Sequence, residues 1–468
     1  MPSISPARTL LILIAACIFV LAAPRVAYAD KIDDYVQRQM QAQHIPGLSL
    51  AIVKNGKIAK ARGYGLADLE QKTPATPQTL YELASVTKQL TATAVMLLVQ
   101  DGKIGLDDKI SQYVKGTPNT WRDITLRELL NQTSGIKDIL NELRGTSQND
   151  ATPQEIVDDV ALYPLDFAPG TDWSYSNTNY LLLGMVIGEV TGMDFSAFLT
   201  ERVFRPLGMT STRLDSDADI IPKRAGRYSW DGSRLTNSAL FNGSLWRSGE
   251  AGLMSNVLDM ARWDGALLGG KILSTASEEE TWSPGKLSDG ALYPYGFGWF
   301  LWDFNGRKVI SHEGSAPGVS TGIAHYLNDK LAVVVFMNRD GVNALALAGE
   351  VANLYDPAVA ARAAPDQQGP DPRATALMRS VLMQLQQGTP DHSLFTQKMQ
   401  FGTTPDFLRY AKQFLAPLGE LRTLIFISRS DRANGQIYRY EAIFENGGLD
   451  VNFTLTKDGK IDDAGWVN

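Results

Sequence analysis

Cysteine is almost absent from this chain: of 468 residues only Cys17 is one, inside an apolar stretch near the N-terminus. If that stretch is removed, disulfides, thiol catalysis and cysteine-held zinc sites are all excluded. Histidine is nearly as scarce. His44, His312, His325 and His392 include no HExxH pair and no two at helical ligand spacing, so a zinc hydrolase is disfavoured and no metal is expected. Positive charge is not in excess either, with 44 Lys and Arg against 51 acids and a net charge of −7. A nucleic-acid partner needs clustered Lys and Arg and is therefore not expected. Past residue 29 no apolar run approaches the ~20 residues that cross a bilayer, which argues against an integral membrane span. The remaining proportions, 44% hydrophobic with 41 Gly and 22 Pro, are those of a globular protein. At roughly 150 residues per unit the length allows about two or three domains.

The first 29 residues read as a secretory signal. Arg8 precedes an apolar run from Leu10 to Ala23, Pro24 and Arg25 end it, and Ala27-Tyr28-Ala29 puts small residues where signal peptidase reads. Cleavage near Ala29 would leave a secreted or periplasmic chain beginning at Asp30, with a charge of −9 once Arg8 and Arg25 are gone. Ile14-Ala15-Ala16-Cys17 loosely matches a lipoprotein box. Lipid anchoring at Cys17 is outweighed because the apolar run continues past it.

From Lys31 to about Tyr355 strand-like and helix-like segments alternate. Leu48–Val53 and Lys57–Gly63 flank Asn55-Gly56, a hairpin signal. Ser85–Gln100 and Tyr180–Val190 read as buried helices closed by Gly102 and Gly192. Val309–Ser311, Gly322–Tyr326 and Leu331–Met337 read as strands. Strands at both ends with helices between them predict a sheet completed by distant segments around a helical insertion. Residues 357–372 read as a linker. Two helices, 374–387 and 405–418, and three or four alternating strands then predict a separate α+β unit in which Tyr438, Tyr440, Ala442 and Phe444 face a core.

Three short patterns can carry chemistry. In Ser85-Val86-Thr87-Lys88, positions i and i+3 share a helix face, so the Lys88 amine can approach the Ser85 hydroxyl, and the helix N-terminus presents its positive end to a developing oxyanion. A serine beside a desolvated lysine is an activated nucleophile. By itself the pattern is weak: Ser134–Lys137 and Ser283–Lys286 repeat it, and an N-cap role explains Ser85 better from this pattern alone. Tyr175-Ser176-Asn177 places a phenol and an amide two apart in a loop before the second helix. A phenol held between cations can lose its proton and act as a base, and an amide can hold an acyl group, although Tyr326–Asn328 has the same spacing and a packed tyrosine is the plainer explanation. His312-Glu313-Gly314-Ser315 ends the Val309 strand, where glycine allows close approach and the following N–H can point at an oxyanion. Ser320 satisfies GxSxG, but strand-like residues follow it where a nucleophile elbow needs a helix.

In the order SxxK, YxN, HxG, and in the company of Gly63–Asp68, Leu83–Gln89, Gln132–Ile136, Arg205–Met209 and Tyr295–Trp299, these patterns resemble the penicillin-binding-protein-like serine hydrolase superfamily. The branch is that of class C β-lactamases, DD-carboxypeptidases, D-aminopeptidases and β-lactamase-like esterases. The resemblance implies an α/β-type β-lactamase/DD-peptidase-like fold, an antiparallel sheet flanked by helices with an all-helical insertion, followed by a small α+β C-terminal domain. The expected boundaries are a signal at 1–29, a hydrolase domain at 30–356, a linker at 357–372 and a cystatin-like or nuclear-transport-factor-two-like roll at 373–468.

The resemblance also assigns roles. Ser85 becomes acylated, Lys88 and Tyr175 manage its proton with the division between them open, Asn177 binds the acyl amide, and the N–H groups of Ser85 and Ser315 form the oxyanion hole. His312 and Gly314 complete the substrate side. No metal or organic cofactor is implied. The departure is at the third motif, where many relatives carry Lys-Thr-Gly or Lys-Ser-Gly. A lysine can hold a substrate carboxylate, whereas histidine is largely neutral unless its surroundings raise its pKa. This weakens the case for efficient penicillin hydrolysis, while D-amino-acid peptides, peptidoglycan-derived ones among them, β-lactams and small esters all fit the same Ser85 chemistry. The alternative is a penicillin-binding sensor that turns over poorly. Oligomeric state is not legible.

Overall fold

Asn55 and Gly56 both adopt positive φ, 52° and 68°, the backbone that a tight two-residue hairpin requires, and the strands on either side pair as the alternation predicts. The computed structural model describes residues 30–138, 151–216, 218–238, 247–304, 307–360, 369, 371–396, 399, 405–432 and 435–467. The expected signal with Cys17 lies outside them, as do 361–368 and 370 of the expected linker, whose residues 357–360 form a helical turn.

The elements that position the site are helix α1 (Asp30–Ala42), strands β1 (Gly47–Lys54), β2 (Lys57–Asp68) and β3 (Thr73–Pro74), helices α2 (Thr87–Gln100), α3 (Asn177–Thr191) and α4 (Val257–Leu267), strands β4 (Phe300–Phe304), β5 (Arg307–Ala316), β6 (Val319–Tyr326) and β7 (Leu331–Met337), and helix α5 (Ala344–Tyr355). They form one antiparallel sheet in the order β4-β5-β6-β7-β1-β2-β3, so its centre joins the first strand to the last through Leu50↔Val335 and its neighbours. One face packs on α1 and α5 through Val36, Leu50, Val333 and Leu347. The other packs on the inserted region through Ala51, Leu90, Trp263 and Phe336. The insertion is mainly helical and also carries short two- and three-stranded ribbons.

Helix α2 is buried around its whole circumference from Thr87 to Leu98, so no side of it is charged for solvent, and the polar residues of its first turns, Lys88 among them, are buried with the rest. Its neighbour α3 ends at Gly192, in the left-handed conformation a C-cap glycine supplies. A loop at 247–252 threads between these helices at one close approach: a Cβ on Gly184 of α3 would lie 1.5 Å from the Ser248 carbonyl oxygen.

The C-terminal unit consists of α6 (Pro372–Gln387), α7 (Pro405–Leu415) and an antiparallel meander of β8 (Leu421–Arg432), β9 (Gly435–Phe444), β10 (Gly447–Thr456) and β11 (Ile461–Val467). Tyr438, Tyr440, Ala442 and Phe444 face its own core, with Met378, Leu382 and Phe453.

Because the Gly184 contact is backbone on backbone, no rotamer change relieves an added methyl. Gly184→Ala is expected to destabilise the chain by roughly 1–3 kcal/mol or more, read as a lowered urea midpoint. An unchanged midpoint would mean that the helices are not this close.

Candidate active site

In the buried run from Tyr81 to Leu98, Ser85 is the one side chain that reaches the surface. It sits in a 3-10 turn, Ala84–Val86, and not in the long helix the sequence predicts, because α2 begins only at Thr87. Ser85 caps neither helix, so the N-cap explanation falls away. Ala84 has φ of 47°, a strained conformation for a residue with a Cβ. The turn is held by its carbonyls and amides: Thr321 Oγ1 donates to Leu83 O at 2.8 Å, and Leu83 N–H donates to Leu253 O at 2.7 Å.

One turn beyond Ser85, as the second residue of α2, Lys88 is fully buried. Its Nζ lies 3.1 Å from Ser85 Oγ, 2.7 Å from Asn177 Oδ1 and 2.8 Å from Glu250 O, and 4.9 Å from the centre of the Tyr175 ring. Burial pushes the lysine well below its ordinary pKa, while the charges of Glu250 and Asp138 raise it part of the way back. An amine that loses its proton this readily, in contact with a serine hydroxyl, can accept the serine proton.

Asn177 is the first residue of α3 and not part of the preceding loop. Both ends of its amide are engaged within the protein, the oxygen by Lys88 and the nitrogen by Asp138 at 3.1 Å. Tyr175 sits just before it, with its hydroxyl shut off from solvent and making no well-formed hydrogen bond among the described residues. Desolvation, and next the nearby Tyr295, hold its pKa well above the ordinary phenol value, although the Ser85 hydroxyl pulls the other way. The expectation of a phenol poised between two cations is not met, because among the described residues only Lys88 supplies one.

The reason is the state of His312. The residue lies inside β5, whose strand runs on to Ala316, and its side chain is 1% exposed. Nδ1 is 2.7 Å from the Glu313 carbonyl, which can only accept, so Nδ1 carries the proton and Nε2 accepts from Tyr295 Oη at 3.2 Å. Desolvation, with the Lys88 charge adding to it, pushes His312 down to about 3. It is a neutral imidazole in a wall with Tyr175, Tyr295 and Phe300, ring centres 4.9 to 6.5 Å apart. Glu313 and Ser315 alternate with it and are exposed. Gly314 is needed for close approach as expected: a Cβ there would meet Leu83 O at 2.2 Å.

Thus Ser85, Lys88, Tyr175, Asn177, His312 and Gly314 converge, with Ser315 following on the same strand. The rival patterns do not. Ser134 Oγ donates to Asn179 Oδ1 at 2.6 Å and Lys137 pairs with Asp166. Ser283 Oγ donates to Glu279 O in the helical turn before it, and Ser320 is buried within β6, accepting from Val342 N–H. Sequence reasoning missed Tyr295, Asp138 and Glu250. Tyr295 had a signal in the Tyr295–Trp299 run that accompanies the three motifs; Glu250 had none.

Comparison with known proteins identifies the family. Residues 32–356 match the model of the family described as Beta-lactamase. Over 306 residues the chain is 31% identical to a penicillin-binding protein of Bacillus subtilis (strain 168), an alignment covering 61% of this chain and 67% of that one. The D-amino acid amidase of Ochrobactrum anthropi SV3, solved with L-phenylalanine amide, shares 27% identity and a TM-score of 0.59 over 69% of this chain and 94% of its own. The octameric penicillin-binding protein homologue from Pyrococcus abyssi, at 21% identity and a TM-score of 0.61, shares the fold over 94% of this chain and 100% of its own. This chain spans about two thirds of the length of the curated relatives it matches, 62 to 67%.

Two outcomes are expected from the site. Lys88→Arg keeps the charge but cannot give up its proton, so Ser85 labelling by a fluorophosphonate should slow by about 10²–10⁴-fold; labelling at an unchanged rate would remove Lys88 as the base. In NMR of the imidazole nitrogens, His312 should stay neutral from pH 8 down to pH 5, since it gains a proton only near its pKa of about 3. A titration centred above pH 5 would contradict the site described.

Proposed function

The chain belongs to the beta-lactamase family, and from that premise we propose that it is a serine hydrolase cleaving amide or ester bonds through an acyl-enzyme on Ser85. The observation that carries the reading is the buried Lys88 amine in contact with the Ser85 hydroxyl. Lys88, as the neutral amine, takes the Ser85 proton while Oγ bonds to the substrate carbonyl carbon. The oxyanion is received by the N–H groups of Ser85 and Ser315. Tyr175, held in its protonated form by burial, gives its proton to the leaving amine or alcohol as the C–N or C–O bond breaks, and Lys88 refills it. Water then repeats the sequence on the acyl-enzyme. Lys88 is the base and Tyr175 the acid in this assignment.

The substrate class follows from the third motif. With His312 neutral, nothing at that position offers a fixed positive charge to a substrate carboxylate, and the aromatic wall beside it favours an uncharged group. Amides and esters without a carboxylate on the leaving side, D-amino-acid amides among them, fit better than penicillins or free-acid peptides; the amidase from Ochrobactrum points the same way. Secretion after cleavage near Ala29 belongs to the same proposal and is supported by the pattern of residues 8–29.

The test is intact-protein mass spectrometry of the wild type and Ser85→Ala with a fluorophosphonate and a fluorescent penicillin, joined to turnover assays on a D-phenylalanine amide. Expected are a phosphonyl adduct lost in Ser85→Ala and amide turnover at least about tenfold above that of a carboxylate-bearing analogue, the worth of one charge-assisted hydrogen bond. His312→Lys should narrow that ratio. Labelling that survives Ser85→Ala would refute the mechanism, and an acyl adduct that forms and never decays would make the protein a binder instead.

A further inference from the structure

Glu250 belongs to none of the three motifs. Its backbone carbonyl accepts from Lys88 Nζ at 2.8 Å, and its side chain is 0% exposed. Neither carboxyl oxygen accepts a well-formed hydrogen bond among the described residues, although the backbone N–H groups of Glu250 and Ser248 lie near enough to ease its charge. A buried carboxyl with such weak partners is costly to fold around, and an apolar side chain would avoid that cost. Yet the backbone is shaped to put it there. Gly184 makes room for Ser248, Gly249 at φ of 128° closes to 2.7 Å from the Tyr180 carbonyl when a Cβ is placed on it, and Thr91 Oγ1, one turn beyond Lys88, donates to Gly249 O at 2.6 Å.

We propose that Glu250 is a positioning residue for acylation: its carboxylate, shut off from water beside the catalytic amine, stabilises the ammonium that forms when Lys88 takes the Ser85 proton. This rests on the Ser85 and Lys88 reading above. The Oγ–H bond breaks, an N–H bond forms on Nζ, and the Oγ electron pair bonds to the carbonyl carbon. No proton passes to Glu250, which acts through space. The other titratable or charged groups around the amine are Asp138, His312, Tyr175 and Tyr180. His312 is neutral and both phenols are protonated, leaving Asp138 as the second anion. Burial holds the Glu250 carboxyl well above its ordinary range, against the pull of its own backbone N–H and of the Lys88 charge, while the Glu250 charge raises Lys88, so the protons of the two are linked and the carboxyl is charged chiefly when the amine is.

The sign of the effect follows. Without the carboxylate the ammonium costs more, so Lys88 loses its proton at lower pH and is a weaker base. The experiment is the pH dependence of fluorophosphonate labelling at Ser85 in full-length wild type, Glu250→Gln and Glu250→Asp, with thermal melts as the control for folding. In Glu250→Gln the acid limb should move down by about one pH unit or more and the plateau rate should fall; Glu250→Asp, which keeps the charge, should restore most of both. An acid limb that coincides with wild type in a folded Glu250→Gln protein overturns the proposal. Should that variant not fold, carboxyl NMR of glutamate-labelled wild type decides. A glutamate signal that shifts over the same pH range as the labelling, and moves to higher pH in Lys88→Met, supports the proposal; its absence overturns it. Failure of wild type to label at Ser85 would instead overturn the parent reading.

Discussion

The structure depends on the burial of one amine. A lysine with no exposed surface must satisfy its nitrogen inside the protein, and Lys88 does so with a serine hydroxyl, an amide oxygen and a backbone carbonyl drawn from three segments far apart in sequence. Ser85 lies one helical turn away, Asn177 begins the next core helix, and Glu250 lies on a loop before α4. Each of these contacts fixes one edge of the site. The same desolvation that makes the amine expensive also lowers its pKa, so the cost of folding around it is coupled to its use as a base.

Backbone packing makes the arrangement possible. Around Lys88 the chain comes closer to itself than side chains allow, and glycine stands at the crossings: Gly298 against the Lys88 carbonyl, Gly314 against Leu83, Gly184 against Ser248. Gly298 and Gly314 bring β4, β5 and the Ser85 turn together, so the neutral His312 is presented to the nucleophile at a defined place. Gly184 admits the loop that delivers Glu250. These glycines set distances in the site although they contribute no functional group.

Much of this was legible beforehand. Asn55-Gly56 marked the hairpin, the apolar text of α2 and α3 marked two core helices, and Ser85, Lys88, Tyr175, Asn177, His312 and Gly314 were named from short motifs that the fold does bring together. Element ends were less legible. Ser85 falls in a 3-10 turn because the chain must swing past β5 before α2 can start, and β5 runs through His312 because the partner strand β6 continues beside it. The insertion carries small ribbons as well as helices, since segments as short as Tyr81–Glu82 and Leu253–Ser255 pair only across long separations in sequence. Glu250 could not be found at all, because Ser248-Gly249-Glu250-Ala251-Gly252 reads as an exposed polar turn.

By itself the sequence determined which groups were available for chemistry and in what order, with one cysteine and four histidines in the whole chain. It did so because motifs within a few residues of one another are constrained by local geometry, which a helix turn or a hairpin transmits directly. Only the tertiary structure decided the charge each group carries. Whether Lys88 is a base, Tyr175 an acid and His312 neutral depends on how much water the surrounding segments exclude and which other charges they bring near. Those segments are as far apart along the chain as Lys88 and His312, and their influence is a property of the packed interior.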